Sequence, residues 1–195
     1  MKTNRLAIYV LAIGASLGIL SAQTVWAKAE PWYFNMGIGW GSPSYPSQLQ
    51  SALSGLKAAG VSNVPIAIDL GFYWPIKTAS VLGVCINGLS DSYTQNTTEM
   101  SVVQTGIFAS GMQFFGKEPG DGFFVRGDLG GGRAAVTLNS SLAATSEYGL
   151  GVGAGIGYGF PVSDETRLLL QGNYMYRRIE GNDYGSLGIT LNGFF

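Results

Sequence analysis

Residues 147–160 read EYGLGVGAGIGYGF, in which Tyr148, Leu150, Val152, Ala154, Ile156, Tyr158 and Phe160 alternate with six glycines. A period of two sends alternate residues to opposite faces of an extended chain. One face here is apolar along its length, and the other carries no side chain between Gly149 and Gly159. Glycine at every second position is incompatible with a helix, so this segment is a strand. Whatever lies over its bare face must be bulky.

The same period recurs in seven more segments of roughly nine residues or longer. In 32–41, Trp32, Phe34, Met36, Ile38 and Trp40 share a face; in 66–74, Ile66, Ile68, Leu70, Phe72 and Trp74 stand opposite Asp69. Leu82, Val84 and Ile86 form the apolar set of 80–89. Segment 101–115 is ambiguous, because Gln104 and Gln113 fall on opposite faces; a bulge, or a strand running past its apolar zone, would explain it. In 123–132, Phe123, Val125 and Leu129 oppose Phe124, Arg126 and Asp128. In 167–177, Leu168, Leu170, Tyr174 and Tyr176 oppose Leu169, Gln171, Asn173 and Arg177. The last segment, 185–195, alternates Leu187, Ile189, Leu191, Gly193 and Phe195 with small and polar residues.

The polar faces carry mostly Gly, Ser, Thr and Asn, and only 12% of the chain is charged against 46% hydrophobic. That charge is about half of what a soluble domain carries. A soluble, lipocalin-like barrel would turn the apolar face inward and show these weakly charged faces to water, so the apolar face is expected to meet lipid. After the N-terminal region no apolar run reaches the ~20 residues of a membrane helix. Lipid offers backbone groups no hydrogen-bond partner, so a sheet within it must close on itself. Eight strands make the smallest usual membrane barrel, with an interior that side chains fill. The expected fold is therefore all-β, an eight-stranded antiparallel up-and-down transmembrane barrel.

Connections WPIKTA, GKEPGDG and PVSDE are short and turn-like, whereas 42–65, 90–99, 133–146 and 178–184 are longer or more polar. Aromatic residues gather at the short-turn end: Trp32, Tyr33, Phe34, Phe72, Tyr73, Trp74, Phe114, Phe115, Phe123, Phe124, Tyr158, Phe160, Phe194 and Phe195. A thinner set, Trp40, Tyr148, Tyr174, Tyr176 and Tyr184, falls at the other end. Two such belts mark the two interfaces of a bilayer. In the first long connection, Leu49, Leu53, Leu56 and Ala59 recur at helical spacing between Pro46 and Gly60. This predicts a one-sided helix of about 14 residues that caps the barrel mouth, lies at the interface or meets a partner.

The N-terminus has a basic start at Lys2 and Arg5, an apolar run from Leu6 to Leu20, and Val25-Trp26-Ala27 where a signal peptidase reads. This predicts a secretory signal over 1–27 and a mature barrel domain over 28–195, rather than a retained anchor. Removing Lys2 and Arg5 takes the net charge from −1 to −3, which gives no reason to expect nucleic acid. The single cysteine, Cys85 in VLGVCING, allows no internal disulfide and reads as a small packed hydrophobe.

A signal segment, eight alternating strands, short turns opposite longer loops, and a terminal GITLNGFF together resemble the small outer-membrane barrels of Gram-negative bacteria, of the OmpA transmembrane-domain and OmpX type. The resemblance implies an outer-membrane location and contact with outer-membrane lipid and lipopolysaccharide. It also implies recognition of residues 185–195 by the barrel-assembly machinery, and loops open to an extracellular ligand. Unlike full-length OmpA-type proteins, the chain is expected to carry no C-terminal peptidoglycan-binding domain.

By parity Asp69, Arg126, Asp128, Gln171, Asn173 and Arg177 face the lumen, where charges need partners. They form either a structural network that plugs the barrel or a gate on a narrow ion path. Trp32, Phe34, Trp40, Trp74, Phe123, Tyr158, Phe160, Tyr174, Tyr176 and Phe195 are the expected membrane-interface aromatics. GMQFFGKE (111–118) lacks the Ser or Thr of a phosphate loop, and GLGVGAG (149–155) is a strand pattern, so neither predicts a nucleotide. There is no histidine. The lipid-modifying and proteolytic barrels that this architecture resembles rest on a histidine base, and zinc loses its commonest ligand. The chain thus reads as a non-enzymatic barrel without cofactor or metal, in a structural or surface-interaction role with an occluded polar lumen. A small pore is the alternative, and a lipid-modifying enzyme a more distant one.

Overall fold

The computed structural model describes residues 31–195. The predicted signal segment and its junction with the mature chain lie outside the described residues. The elements are β1 (Tyr33–Ser44), α1 (Ser47–Ala58), β2 (Ser62–Lys77), β3 (Ser80–Gln95), β4 (Thr98–Phe114), β5 (Gly122–Leu138), β6 (Ser141–Thr145), β7 (Gly149–Pro161), β8 (Arg167–Ile179) and β9 (Asn182–Phe194). Each long strand pairs antiparallel with its neighbours, β4 pairs with β5, and β1 pairs with β9, closing an eight-stranded barrel. Closure runs to the last residue: Phe34 and Phe195 exchange both backbone hydrogen bonds at 2.9 Å.

The predicted alternation becomes an inverted protein. Ile38 is 64% exposed and Leu150 77%, whereas Asp69 and Arg177 are 0% exposed. No described helix is long and apolar enough to cross a membrane; the strands present the hydrocarbon-facing surface instead.

Several local readings are corrected. Connections 90–99 and 178–184 are strand extensions that end in tight turns rather than long loops. Asn96 turns β3 into β4 at φ 54°, and Glu180-Gly181 turns β8 into β9 at φ 50° and 76°. Paired positive φ angles suit the twist of a two-residue hairpin, and glycine takes the second without strain. Connection 133–146 holds the top of β5 and the short strand β6, turned at Asn139 and Ser140. β4 needs no bulge, because its pairing with β3 is continuous from Thr98 to Gln113. Gln113 lies where the strand leaves the apolar zone, accepting from Ser80 Oγ at 2.6 Å and donating to the Phe114 carbonyl at 2.7 Å.

The glycine face of β7 points inward and is covered as expected. An added Cβ at Gly151 would lie 2.7 Å from the Phe108 ring, at Gly153 2.1 Å from Met175 Sδ, and at Gly157 2.5 Å from the Phe124 ring. α1 is shorter than expected at 12 residues, with Pro46 as its N-cap and Gly60 at φ 81° beyond its end.

Candidate functional site: the filled lumen and its lid

The inward side chains stack in layers. At the short-turn end, Tyr33, Tyr73, Phe114, Phe124 and Phe194 form an aromatic plug. Tyr33 stacks on Phe194 at 4.8 Å between centroids, and Phe114 meets Phe124 at 5.0 Å and Phe194 at 5.9 Å. This corrects the assignment of those five rings to the outer belt. All are buried, because each falls on the inward parity of its strand.

Above the plug is an ion cluster. Arg126 donates through Nη1 and Nη2 to Asp69 at 2.5 and 3.0 Å, and through Nε to both Asp128 oxygens at 2.9 and 3.0 Å. Its Nη1 also reaches Gln171 Oε1 at 3.4 Å. Asn35 and Asn192, not singled out from the sequence, donate to Asp69 at 2.9 and 3.1 Å. Parity alone marks both as inward, but they carry no charge to draw notice. Cys85 corrects the reading of a plain hydrophobe: although buried among apolar rings, it accepts from Arg126 Nη2 at 3.0 Å and lies 3.8 Å from Asp128 Oδ1.

Two predicted lumen residues stand apart from this cluster. Asn173 packs over Gly155 and Gly188. Arg177 lies a layer higher, its guanidinium 5.7 Å from the Phe108 ring centroid. It donates to Asn87 Oδ1 at 2.9 Å, Ser186 Oγ at 3.2 Å and Gln104 Oε1 at 3.4 Å.

The mouth is closed by α1. Leu53 is buried against Tyr45, Tyr93 and Val102, with Leu49, Leu56, Met100, Val136 and Tyr184 around them. The helix therefore sits in the mouth rather than on the membrane. Tyr184, expected in the outer belt, instead faces inward, edge-on to Tyr45 at 6.4 Å. Beneath the helix Asp91 accepts from Tyr93 Oη at 2.7 Å, from Tyr45 Oη at 3.1 Å, and from Asn63 Nδ2. Burial first, and the Asp91 carboxylate with it, holds both phenols above the ordinary tyrosine range.

On the outside, Trp32, Phe34, Trp74, Phe123, Tyr158, Phe160 and Phe195 are exposed at the short-turn end, and Trp40 and Tyr174 toward the other; Tyr176 is half-buried there. Trp32 stacks on Phe72 at 5.0 Å, and Tyr158 lies 4.8 Å from Phe160.

No protein-family model matches the sequence, and no curated protein matches it. Solved structures do. The attachment invasion locus protein Ail of Yersinia pestis, solved with the heparin analogue sucrose octasulfate, aligns over 85% of this chain and 100% of its own at TM-score 0.54 and 11% identity. Neisserial surface protein A (NspA) aligns over 84% and 96% at TM-score 0.56 and 16% identity. At these identities the likeness is one of fold: the chain has the fold of the small eight-stranded outer-membrane β-barrels.

Proposed function

We propose that this chain is exported through a signal over residues 1–27 and resides in the outer membrane of a Gram-negative bacterium. Its barrel is a closed scaffold that presents loops for surface interaction. The observation that carries this reading is the stacked filling of the lumen: the aromatic plug, the Arg126 ion cluster, the Arg177 layer and α1 follow one another from end to end. Such a barrel is a wall and a platform rather than a conduit or a catalyst.

In this reading the exposed aromatics sit at the two lipid interfaces, outer-membrane lipid and lipopolysaccharide surround the apolar band, and residues 185–195 are read by the barrel-assembly machinery. The heparin analogue held by Ail is a poor guide to the ligand here. The side chains toward the α1 end include Lys57, Arg133 and Arg178 but also Glu99, Glu147, Glu180 and Asp183, a balance unsuited to a polysulfate.

The test is reconstitution of the mature chain, wild type and Arg126→Ala, in planar bilayers. The wild type is expected to give no discrete conductance steps. Steady ion conductance from the wild type overturns the closed scaffold in favour of a small pore.

A further inference from the structure

Two charges in the upper barrel are fully buried and make no ion pair among the described residues. Arg177, on β8, ends on three neutral oxygens, those of Asn87, Ser186 and Gln104. Asp91, on β3, is met by two phenols and an amide, none of them cationic. β3 and β8 stand across the lumen from each other, four strands apart in either direction. The carboxylate that acts on Arg177 is Asp128 of the layer below, already bound by Arg126. A buried ion without a paired counterion of its own is costly to keep, and here two of opposite sign do not pair.

Gln104 lies between them. Its oxygen is the one on Arg177, and its side chain also acts on the Tyr45 phenol. Gln104 Nε2 and Arg177 Nε are buried and have no hydrogen-bond partner. The Tyr45 phenol satisfies Asp91 and leaves these donors on the basic side unused.

Tyr45 belongs to the lid rather than to the wall. It lies after the end of β1 and immediately before Pro46, the N-cap of α1. Only Leu53 of the helix is buried, with Leu49 and Leu56 partly so, whereas every wall strand is held by ladders on both sides. An element with so few buried contacts opens without unfolding the rest.

We propose that α1 is a lid, and that Tyr45 occupies in the closed state a site for a small zwitterion bearing an ammonium and a carboxylate, an α-amino acid in its simplest form. With the lid raised, Asp91 keeps Asn63 and Tyr93 and takes the ammonium. Arg177 and Gln104 Nε2 take the carboxylate. Leu89, buried on β3 between Asn87 and Asp91, offers an apolar surface between the two ends. A simple anion would meet the charge of Asp91, and a simple cation that of Arg177, so both charges are required on one molecule. The inference goes beyond the scaffold role and leaves the lower lumen closed, so the site opens outward only.

The experiment is calorimetric titration of the folded mature chain in detergent micelles with L-alanine, and with acetate and ethylammonium as single-charge probes. Wild type is expected to bind L-alanine weakly, because the closed lid competes. Tyr45→Ala, and separately Leu53→Ser, are expected to bind it about tenfold tighter or more as that competition is lost. Adding Asp91→Asn to Tyr45→Ala is expected to remove the gain, and the single-charge probes to bind at least about tenfold more weakly than L-alanine. Folding of each variant is read from heat-dependent gel mobility. Adding Arg177→Gln to Tyr45→Ala is likewise expected to remove the gain; where that variant does not fold, Asp91→Asn at the mouth carries the test. Absence of L-alanine binding by both folded lid variants, or acetate binding as tight as L-alanine, overturns the proposal. Conductance reports separately on the closed scaffold.

Discussion

Replacing Arg126 by methionine keeps much of the side-chain volume and removes the charge that holds two buried carboxylates. Arg126 makes four contacts of 2.5–3.0 Å with Asp69 and Asp128. Charged hydrogen bonds contribute about 1.5–3 kcal/mol each, but not additively, and the guanidinium desolvation offsets part of the sum. Breaking a buried pair by deleting one partner costs about 3–5 kcal/mol. Here two anions are left behind. Asn35 and Asn192 still donate to Asp69, whereas Asp128 keeps only the Cys85 thiol at 3.8 Å as a donor and the more distant charge of Arg177. The expected loss is therefore near the upper end, about 4–5 kcal/mol, or roughly a thousandfold in the folding constant. Guanidinium unfolding in phospholipid vesicles, followed by tryptophan fluorescence, measures it. The triple variant Arg126→Met, Asp69→Asn, Asp128→Asn removes the anions as well and should return to within about 2 kcal/mol of wild type. A single variant that loses less than about 1 kcal/mol, or a triple variant no more stable than the single, refutes the reasoning.

Gly157→Val places a Cβ 2.4 Å from the Leu170 carbonyl oxygen and 2.5 Å from the Phe124 ring. It should cost about 2–3 kcal/mol or prevent folding, whereas Gly172→Ala, with nothing within 4 Å, should leave the heat-modifiability midpoint unchanged. Phe194→Ala removes a ring of the aromatic plug and should cost about 3–5 kcal/mol in the same unfolding assay; Phe195→Ala, on the exposed side, should cost under about 1 kcal/mol. Tyr45 and Tyr93 favour the neutral phenol in the folded state, so their folded values lie above the unfolded one near pH 10. Their contribution is complete below about pH 10 and is lost as pH rises beyond it. Tyrosinate absorbance of Tyr45→Phe and Tyr93→Phe should lose amplitude from the late part of the titration; loss from the ordinary step would count against the buried latch.

Parity alone placed Asp69, Arg126, Asp128, Gln171, Asn173 and Arg177 on inward faces, because a period of two assigns a face to every residue of a strand. Parity carries no information about which strand faces which across the lumen. Asp69 and Arg126 are 57 positions apart in sequence, and their pairing, like the separation of Arg177 from it, follows from barrel closure. The aromatic doublets show a different loss. By their clustering at the short-turn end, Tyr33-Phe34, Phe114-Phe115, Phe123-Phe124 and Phe194-Phe195 read whole as belt. Within each, one ring is buried in the plug and the other is exposed. Adjacent residues of a strand must point oppositely, so each doublet serves both the lumen and the lipid boundary. The tight turns at Asn96 and Glu180-Gly181 were hidden by polar strand extensions, whose composition resembles that of loops.

The two ends of the barrel are closed by different physics, and that difference bears on what such a chain can do. The lower end is sealed by rings that are themselves part of the strands: opening it means separating the wall, with the loss of paired backbone as well as stacked aromatics. The upper end is sealed by a helix with a single fully buried leucine, joined to the wall through Tyr45 on one side and Gly60 on the other. Any low-energy opening is therefore one-sided. In the closed-scaffold reading proposed above, a barrel that yields only at its α1 end would exchange molecules or contacts on that side alone, because the Arg126 cluster and the aromatic plug stay in place beneath. Fluctuation confined to α1, measured as fast amide exchange in the helix beside slow exchange in β3 and β8, follows from this asymmetry; equal protection of helix and wall would contradict it.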